Sequence, residues 1–387
     1  MPNKTHATTP HPPSIAIVHD WLTNMGGAEP LVLELHKLFP KAPIYTSVYD
    51  NDHMPAFAKL DVRTTSLQKN LPKHLRYKHT LWPVLRASAF RKLDLSSFDI
   101  IISSSSAEAK AVKKTKPEQV HIAYIHTPPR YYWSHYEEFK KEFRFGALTP
   151  FIRPVIPYFV KKMRKLDIES TNDIDLFIAN STITQTRIKR YYNKPSTIVF
   201  PPVDVARFTP PPKGKRQGFV MWGRHVPYKR FDLAIQAANT LHLPLTIAGS
   251  GPDTERLKAL AGPTVHFVGR ISEDELVHLA QTSRAFLFPN EEDFGIAAVE
   301  ALAAGTPVIA YKKGGALDIV QDGETGIFFE EQTVEGLVEA MQRFEVLVAK
   351  NPNLFLPATL HRKAKRFDKS LFDTKILTIV SKAFPHL

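Results

Sequence analysis

Short apolar runs recur along this chain, each closed by a polar or glycine-bearing loop and followed by a helical pattern. The first is Ile15-Ala-Ile-Val18. A loop ending Met25-Gly-Gly-Ala-Glu29 comes next, then apolar residues at Leu31, Leu35 and Leu38, with Pro40 as the stop. Similar runs stand at Asp99-Ile-Ile-Ile102, His121-Ile-Ala-Tyr-Ile125 and Leu176-Phe-Ile-Ala179. Continuous apolar runs, rather than alternating ones, belong to strands buried on both faces. Helices between successive strands then argue a parallel sheet covered on both sides.

Residues 201–217 are irregular and rich in proline, and they read as an interdomain linker. Beyond them the alternation restarts. Strands are expected at Phe219-Val-Met-Trp222, Leu245-Thr-Ile-Ala248, Val265-His-Phe-Val268, Ala285-Phe-Leu-Phe288 and Pro307-Val-Ile-Ala310, with helices at Phe231 to Leu241 and near Asp253–Leu260. At 387 residues the chain has room for two such domains. The expected organisation is a tail over 1–13, an N-terminal domain over 14–200, the linker, and a second domain over 218–365. A last helix over 366–387 is expected to pack back on the first domain. Open parallel sheets bind ligands beyond the carboxyl ends of their strands, so a cleft between the domains is the expected site.

Charge is distributed unevenly. Residues 1–200 carry 29 Lys and Arg against 17 Asp and Glu, which accounts for +12 of the chain's net +13. The excess gathers in two windows, Lys69 to Lys92 and Lys141 to Lys165, each interleaved with aromatic side chains. Such windows suit an anionic membrane surface. No nucleic-acid motif accompanies them, so a nucleic-acid partner is not expected. The chain has no cysteine, which excludes disulfides, thiolate nucleophiles and cysteine-based zinc sites. The polar, proline-rich start carries no secretory h-region, and no run approaches the roughly 20 apolar residues that would span a bilayer.

The most informative segment is Pro289-Asn-Glu-Glu-Asp-Phe-Gly-Ile-Ala-Ala-Val-Glu-Ala-Leu-Ala-Ala-Gly-Thr-Pro307. A strand feeds a polar loop, and a helix is expected to start near Phe294–Gly295 and end at Gly305. Glu292 then lies in the loop and Glu300 in the helix. The free amides of Gly295 and Ile296 face whatever lies at the helix start, a place suited to anions or sugar hydroxyls. Carboxylates accept well from vicinal hydroxyls, so Glu300 is expected to hold a ribose and Glu292 a donor sugar. Arg224 and Lys229 supply two cations that can neutralise a departing diphosphate without a metal. Gly26 and Gly27 let backbone amides approach a phosphate or sugar, although their loop lacks the spacing of dinucleotide-binding folds. Glu29 beside them could simply stabilise the helix start.

The E-x-F-G-x4-E pattern of Glu292 to Glu300 resembles the signature of glycosyltransferase family 4. Those are retaining enzymes of the GT-B architecture, α/β proteins with two facing Rossmann-like domains, parallel sheets and an interdomain cleft. Gly223-Arg-His-Val-Pro-Tyr-Lys-Arg-Phe-Asp-Leu233 is similar to the family's phosphate-binding segment, with Tyr228 replacing a common Glu and Arg230 a common Gly. Ala248-Gly-Ser-Gly-Pro252, Phe267-Val-Gly-Arg-Ile271 and Asp322-Gly-Glu-Thr-Gly326 stand in the expected order. The resemblance covers roughly residues 14–345. It implies that Gly249, Val268 and Phe294 join Gly295, Ile296 and Glu300 in binding the donor. It also implies that His126, in Tyr124-Ile-His-Thr-Pro-Pro-Arg-Tyr-Tyr-Trp133, positions the donor sugar.

That longer His126 segment, with His19-Asp-Trp-Leu-Thr-Asn-Met-Gly-Gly-Ala-Glu29, resembles bacterial O-antigen and exopolysaccharide mannosyltransferases. The resemblance implies a mannose donor, GDP-mannose, and a polyprenyl-diphosphate-linked glycan acceptor at the cytoplasmic membrane face. Asp20, Trp21 and Arg130 are the expected acceptor-side residues, with a purely structural role for Asp20 and Trp21 equally open. Neither a cofactor nor a metal is expected, since no Asp-x-Asp motif occurs. Three other readings stay open: a GT-B sugar-nucleotide epimerase, a nicotinamide-dependent Rossmann enzyme, and a non-catalytic nucleotide-sugar or membrane-binding protein.

Overall fold

The computed structural model describes residues 13–77, 82–134, 136, 137, 140, 154–210 and 216–384. Residues 1–12 of the expected tail, 78–81 and 141–153 of the basic windows, and 211–215 of the expected linker lie outside this set. The chain divides into two compact units, one from Met1–Val199 with Asp373–Leu387 and one from Phe200–Phe372.

The first unit holds a seven-stranded sheet in which every pair is parallel. Its strands are β1 (Ile15–His19), β2 (Ile44–Thr46), β3 (Val62–Thr64), β4 (Ile100–Ser105), β5 (Val120–Ile125), β6 (Leu176–Ala179) and β7 (Thr197–Ile198). Their order is β3-β2-β1-β4-β5-β6-β7. Strands β1 and β4 are buried along their whole length, as the continuous apolar runs require. The chain leaves β1 towards β2 on one side, whereas β4 lies on the other. This reversal makes the carboxyl ends of β1 and β4 the topological switch point.

Helices cover the sheet. Helix α1 (Glu29–Leu38) buries Leu31, Val32 and Leu35. Helix α2 (Pro83–Arg91) buries Phe90 and, unusually, Arg86, whose guanidinium pairs with Glu108 at 2.8 Å. Helix α3 (Ile156–Glu169) is tied down by Asp167. That carboxylate meets the Lys110 ammonium at 2.7 Å and accepts from the Trp133 indole and the Tyr192 hydroxyl, each at 2.8 Å. A buried charge pair of this kind is tolerable only because its remaining oxygen is also satisfied. Helix α4 (Thr182–Tyr192) starts on a Ser181 cap and closes this side.

The second unit repeats the plan with six parallel strands. These are β8 (Phe219–Trp222), β9 (Leu245–Ala248), β10 (Val265–Gly269), β11 (Ala285–Phe288), β12 (Val308–Tyr311) and β13 (Gly326–Phe329), in the order β10-β9-β8-β11-β12-β13. Helix α5 (Phe231–Leu241) and the long α6 helix (Val334–Lys350) pack on one face. Between them in sequence lies the helix of the glutamate motif, Ile296–Ala303, which buries Ala298, Val299, Ala301, Leu302 and Ala303. Small side chains let this helix sit close to its neighbours. Its cap is Gly295 and its stop is Gly305 at φ 76°, as the sequence leads one to expect.

One expectation needs correction. The proline-rich stretch is not simply a linker: Val203, Val205 and Phe208 are buried in the second unit's core, and Val203 pairs with the backbone of Phe367 and Lys369. Apolar residues spaced among prolines carry no periodicity, so the sequence pattern cannot reveal that they are buried. Of the final helix, Lys369–Ala383, the part from Asp373 onward groups with the first unit, and the boundary falls at Phe372. Strands β2, β3, β7 and β13 add to those expected; the first three have only two or three residues, too short for the pattern to register.

At the start of the loop after β9, Gly249 has φ 115°, and a Cβ there would stand 2.0 Å from the Gly223 carbonyl oxygen. The ends of β8 and β9 can approach only because that atom is missing. Gly249→Ala is expected to cost about 2–4 kcal/mol through strain and overpacking, measured as a lowered urea midpoint with unchanged slope.

Candidate functional site

In the second unit the motif residues gather at the carboxyl end of the sheet. After β8, the chain turns through a short 3₁₀ segment, Pro227–Lys229, and Arg230 adopts a left-handed conformation at φ 54°. This is the position where the resembling motif has Gly. The departure therefore has a backbone cost of about 1 kcal/mol, and the Arg230 guanidinium is turned onto Asp232 at 3.2 Å. Lys229 reaches the opposite way, and its ammonium lies 2.7 Å from Oε1 of Glu292. Asn290 donates to the same oxygen at 2.9 Å. Arg224 is exposed.

The loop carrying Glu292 is fixed by its backbone, whose carbonyl accepts from the Gly315 amide at 2.8 Å. Gly295 then turns the chain at φ 112°, and a Cβ there would stand 2.6 Å from the Phe288 ring. Ala298 and Val299 donate to the Gly295 carbonyl at 3.0 and 3.4 Å, and the amides of the helix start before them have no partner in the helix. Glu300 lies one and a half turns further on, where the Trp222 indole N–H donates to its Oε2 at 3.0 Å. Burial pushes the Glu300 carboxyl above its ordinary range, against the Trp222 N–H and the Arg207 and Lys229 charges. Two carboxylates and a lysine thus share one edge of one sheet. Trp222, Asn290 and Gly315 are the supporting residues that motif reasoning missed, because each acts through one contact across the fold.

Two expected donor ligands in this unit have other tasks. The Phe294 ring is buried and stacks on Phe200 at 5.6 Å and packs on Phe367 at 5.5 Å, so it holds the loop from inside the core. The Gly249 amide donates to the Gly269 carbonyl at 2.6 Å and is spent on strand pairing. Val268 is 47% exposed on edge strand β10.

In the first unit a second set forms at the carboxyl ends of β1, β4 and β5. Strand register places His19 opposite Ser104, and His126 follows directly after β5. His19 Nδ1 lies 3.1 Å from the Ser104 carbonyl oxygen and 3.2 Å from its Oγ. The same Oγ lies 2.8 Å from His126 Nε2. On its other side, His19 Nε2 faces Glu29 Oε1 at 3.7 Å. Burial works against charge on His19, but the Glu29 carboxylate, with Asp20 and the Ser104 carbonyl, outweighs it and raises the pKa. Burial likewise opposes charge on Glu29, and His19 with the Gly26 and Glu29 amides outweighs it and lowers the pKa.

Here, too, the structure corrects expectations. The Gly26 amide donates to Glu29 Oε2 at 2.7 Å, so it orders the loop and is not available to a phosphate; Gly27 is exposed. Asp20 is 1% exposed and accepts from the amides of Ser106, Ala107 and Ala109 and from the hydroxyls of Ser105 and Ser106. Its role is to pin the loop after β4, and an acceptor cannot reach it. Trp21 is half-buried beneath the Arg86 guanidinium, 5.1 Å from the ring centroid, and Arg130 is half-buried.

Comparison with known proteins follows the same division. Residues 203–350 match the family described as "Glycosyl transferases group 1". A GDP-mannose-dependent alpha-(1-6)-phosphatidylinositol monomannoside mannosyltransferase of Mycobacterium tuberculosis (strain CDC 1551 / Oshkosh) is 30% identical over 200 residues, 44% of this chain and 51% of that protein. A D-inositol 3-phosphate glycosyltransferase of Nocardioides sp. (strain ATCC BAA-499 / JS614) is 26% identical over 208 residues, 44% of this chain and 45% of that protein. The chain thus spans about half the length of the curated relatives it matches. Among solved structures, Anabaena Alr3699/HepE in complex with UDP superposes with a TM-score of 0.68 at 16% identity, over 95% of this chain and 100% of that one. Sucrose-phosphate synthase from Thermosynechococcus elongatus gives 0.70 at 17% identity, over 97% and 100%. The fold is shared with these two structures.

The His19–Glu29 pair gives a signed pH dependence. The contribution of His19 is fully present below the ordinary histidine value of 6.5 and is lost as pH rises through its higher folded value. That of Glu29 is present above the ordinary glutamate value of 4.5 and is lost as pH falls through its lower folded value. His19→Gln is therefore expected to lower the melting temperature most between these limits, with the deficit shrinking at alkaline pH. A deficit that stays constant from acid to alkali would show that the pair is not the source.

Proposed function

We propose that this chain is a retaining glycosyltransferase of family 4, moving a hexose from a nucleotide sugar to a glycan acceptor. The observation that carries this reading is the grouping of Lys229, Glu292 and Glu300 at the carboxyl edge of the second sheet. Lys229 and Glu292 are 2.7 Å apart, and Glu300 is held by Trp222. A nucleotide sugar offers a matching set of groups: a diphosphate, a ribose diol and a sugar ring with several hydroxyls.

In this reading Arg224 and Lys229 meet the diphosphate and neutralise the charge that builds on it as the glycosidic bond breaks. The first-turn amides of Gly295 and Ile296 add donors at the same place. Glu300 accepts from the ribose hydroxyls. Glu292, with one oxygen engaged by both Lys229 and Asn290, acts as a sugar-hydroxyl ligand rather than a nucleophile. Two-step retention needs a carboxylate nucleophile beside the anomeric carbon. None is assigned here, and departure and attack on one face, with the leaving phosphate as base, is the mechanism that fits. His126 in the first unit is the sugar-positioning residue.

Mannose from GDP-mannose is the proposed donor, supported by relatives whose names carry that specificity in Mycobacterium tuberculosis and Mycolicibacterium smegmatis. The proposed acceptor is a lipid-linked or polysaccharide glycan of the O-antigen or exopolysaccharide class at the cytoplasmic membrane face. Helix α3 supports a peripheral membrane role. It exposes Tyr158 (74%) and Phe159 (44%) beside exposed Lys161, Lys162 and Lys165, the pairing of aromatic rings and cations that anionic headgroups favour. No helix among the described residues is long and apolar enough to cross a membrane.

A screen of nucleotide sugars for slow hydrolysis by the purified protein tests the reading. GDP-mannose is expected to be turned over, and Glu292→Ala and Glu300→Ala are each expected to reduce kcat/KM by about 10–100-fold, the worth of a charged hydrogen bond. Turnover of another donor alone would replace the mannose assignment. Wild-type rates in both variants would remove the two glutamates from the site. Conversion of donor into an isomer without acceptor would point to an epimerase instead.

A further inference from the structure

We propose that Ser104 sets the tautomer of His126, donating its hydroxyl hydrogen to Nε2 and so keeping the ring's own hydrogen on Nδ1. Ser104 is thus a positioning residue, and the inference rests on the reading of His126 as the group that meets the donor sugar.

The hydrogen placement follows from the acceptors around His19. Its Nδ1 lies 3.1 Å from the Ser104 carbonyl oxygen. A carbonyl can only accept, so Nδ1 must carry a hydrogen. Nε2 of the same ring faces the Glu29 carboxylate at 3.7 Å, and Asp20 lies next in sequence. Both acids favour a hydrogen on that nitrogen as well. Towards Ser104, His19 therefore presents a hydrogen and no lone pair.

Ser104 Oγ sits 3.2 Å from His19 Nδ1 and 2.8 Å from His126 Nε2. Towards His19 the oxygen can only accept, sharing the Nδ1 hydrogen with its own carbonyl. The hydroxyl hydrogen goes to His126 Nε2, the nearer ring nitrogen at 2.8 Å, whose lone pair receives it. A neutral imidazole with a lone pair on Nε2 carries its hydrogen on Nδ1. The hydrogen that His126 can give to a sugar oxygen is accordingly the one on Nδ1.

The register makes this assignment specific to one serine. Ser103 turns to His121 Nε2 at 2.8 Å, Ser105 to Asp20 at 3.3 Å, and Ser106 to Asp20 at 3.1 Å. Only Ser104, opposite His19 on β1 and opposite Tyr124 on β5, stands between two histidines. The β1–Ser104–β5 arrangement relays the Nδ1 hydrogen of His19 into the hydrogen pattern of His126.

The test uses the full-length protein labelled with ¹⁵N-histidine. Two-bond ¹⁵N–¹H correlation spectra distinguish the two tautomers, and the signals of His126 are those lost in His126→Asn. The Nδ1–H pattern is expected in the wild type, averaging of both tautomers in Ser104→Ala, and recovery of the wild-type pattern in Ser104→Thr. With donor, Ser104→Ala is expected to lower kcat about tenfold, the worth of one neutral hydrogen bond, while KM for the donor changes little. Asn places its amide near Nδ1 and Gln near Nε2, so His126→Asn is expected to be the more active of the two variants. An Nε2–H pattern in the wild type, an unchanged pattern in Ser104→Ala, or a more active His126→Gln would each overturn the proposal. A protein that turns over no nucleotide sugar would remove the functional reading, and the spectra would still decide the tautomer.

Discussion

The lateral pairing of β1 with β4 is the contact on which the first unit's site depends. Parallel register sets His19 against Ser104, and the next pairing, of β4 with β5, sets Ser105 against Ile125 just before His126. A slip of one residue would turn every side chain to the other face of the sheet. The buried Asp20 carboxylate guards against that slip. Its hydrogen bonds to the amides of Ser106, Ala107 and Ala109 bind the loop after β4 to the end of β1. Burial opposes its charge, yet His19, those amides and Lys110 outweigh the cost and lower its pKa.

Polar side chains buried in the first unit do more organising than binding. Glu29 holds the glycine loop, Glu108 holds Arg86, and Asp167 gathers Lys110, Trp133 and Tyr192. Each pair would be costly if either partner were lost, because the other would remain charged and unpaired. The second unit follows a different plan. Its core beneath the motif is built of alanines and phenylalanines, and its charged groups are raised onto the sheet's edge. Phe294 illustrates the difference, since a residue at the centre of the motif serves as a packing anchor that sets where Glu292 stands.

Much of the fold was legible along the chain. Strands buried on both faces announce themselves as continuous apolar runs, and β1, β5, β6, β8, β9 and β11 all lie where such runs occur. The motif helix was legible from its small residues and its glycines at both ends. Short strands escaped notice, because two or three residues carry no period. The proline-rich stretch misled for a related reason: Val203 pairs with a segment more than 150 residues away, near Phe367, and Val205 and Phe208 are buried in the same core as the distant motif helix.

For the candidate site, the sequence alone singled out the candidate residues. Glu292, Glu300, Arg224 and Lys229 stand out because their spacing around a strand, a glycine and a helix start is a local property. The tertiary structure decided what those residues touch. It joined Lys229 to Glu292, hung Glu300 from Trp222, withdrew Gly26, Asp20, Gly249 and Phe294 into structural roles, and placed Ser104 between two histidines. The reason is physical: hydrogen bonds and ion pairs act over about 3 Å, and which groups come that close depends on the lateral order of strands. That order is set by packing across the whole sheet, and no local pattern of residues encodes it.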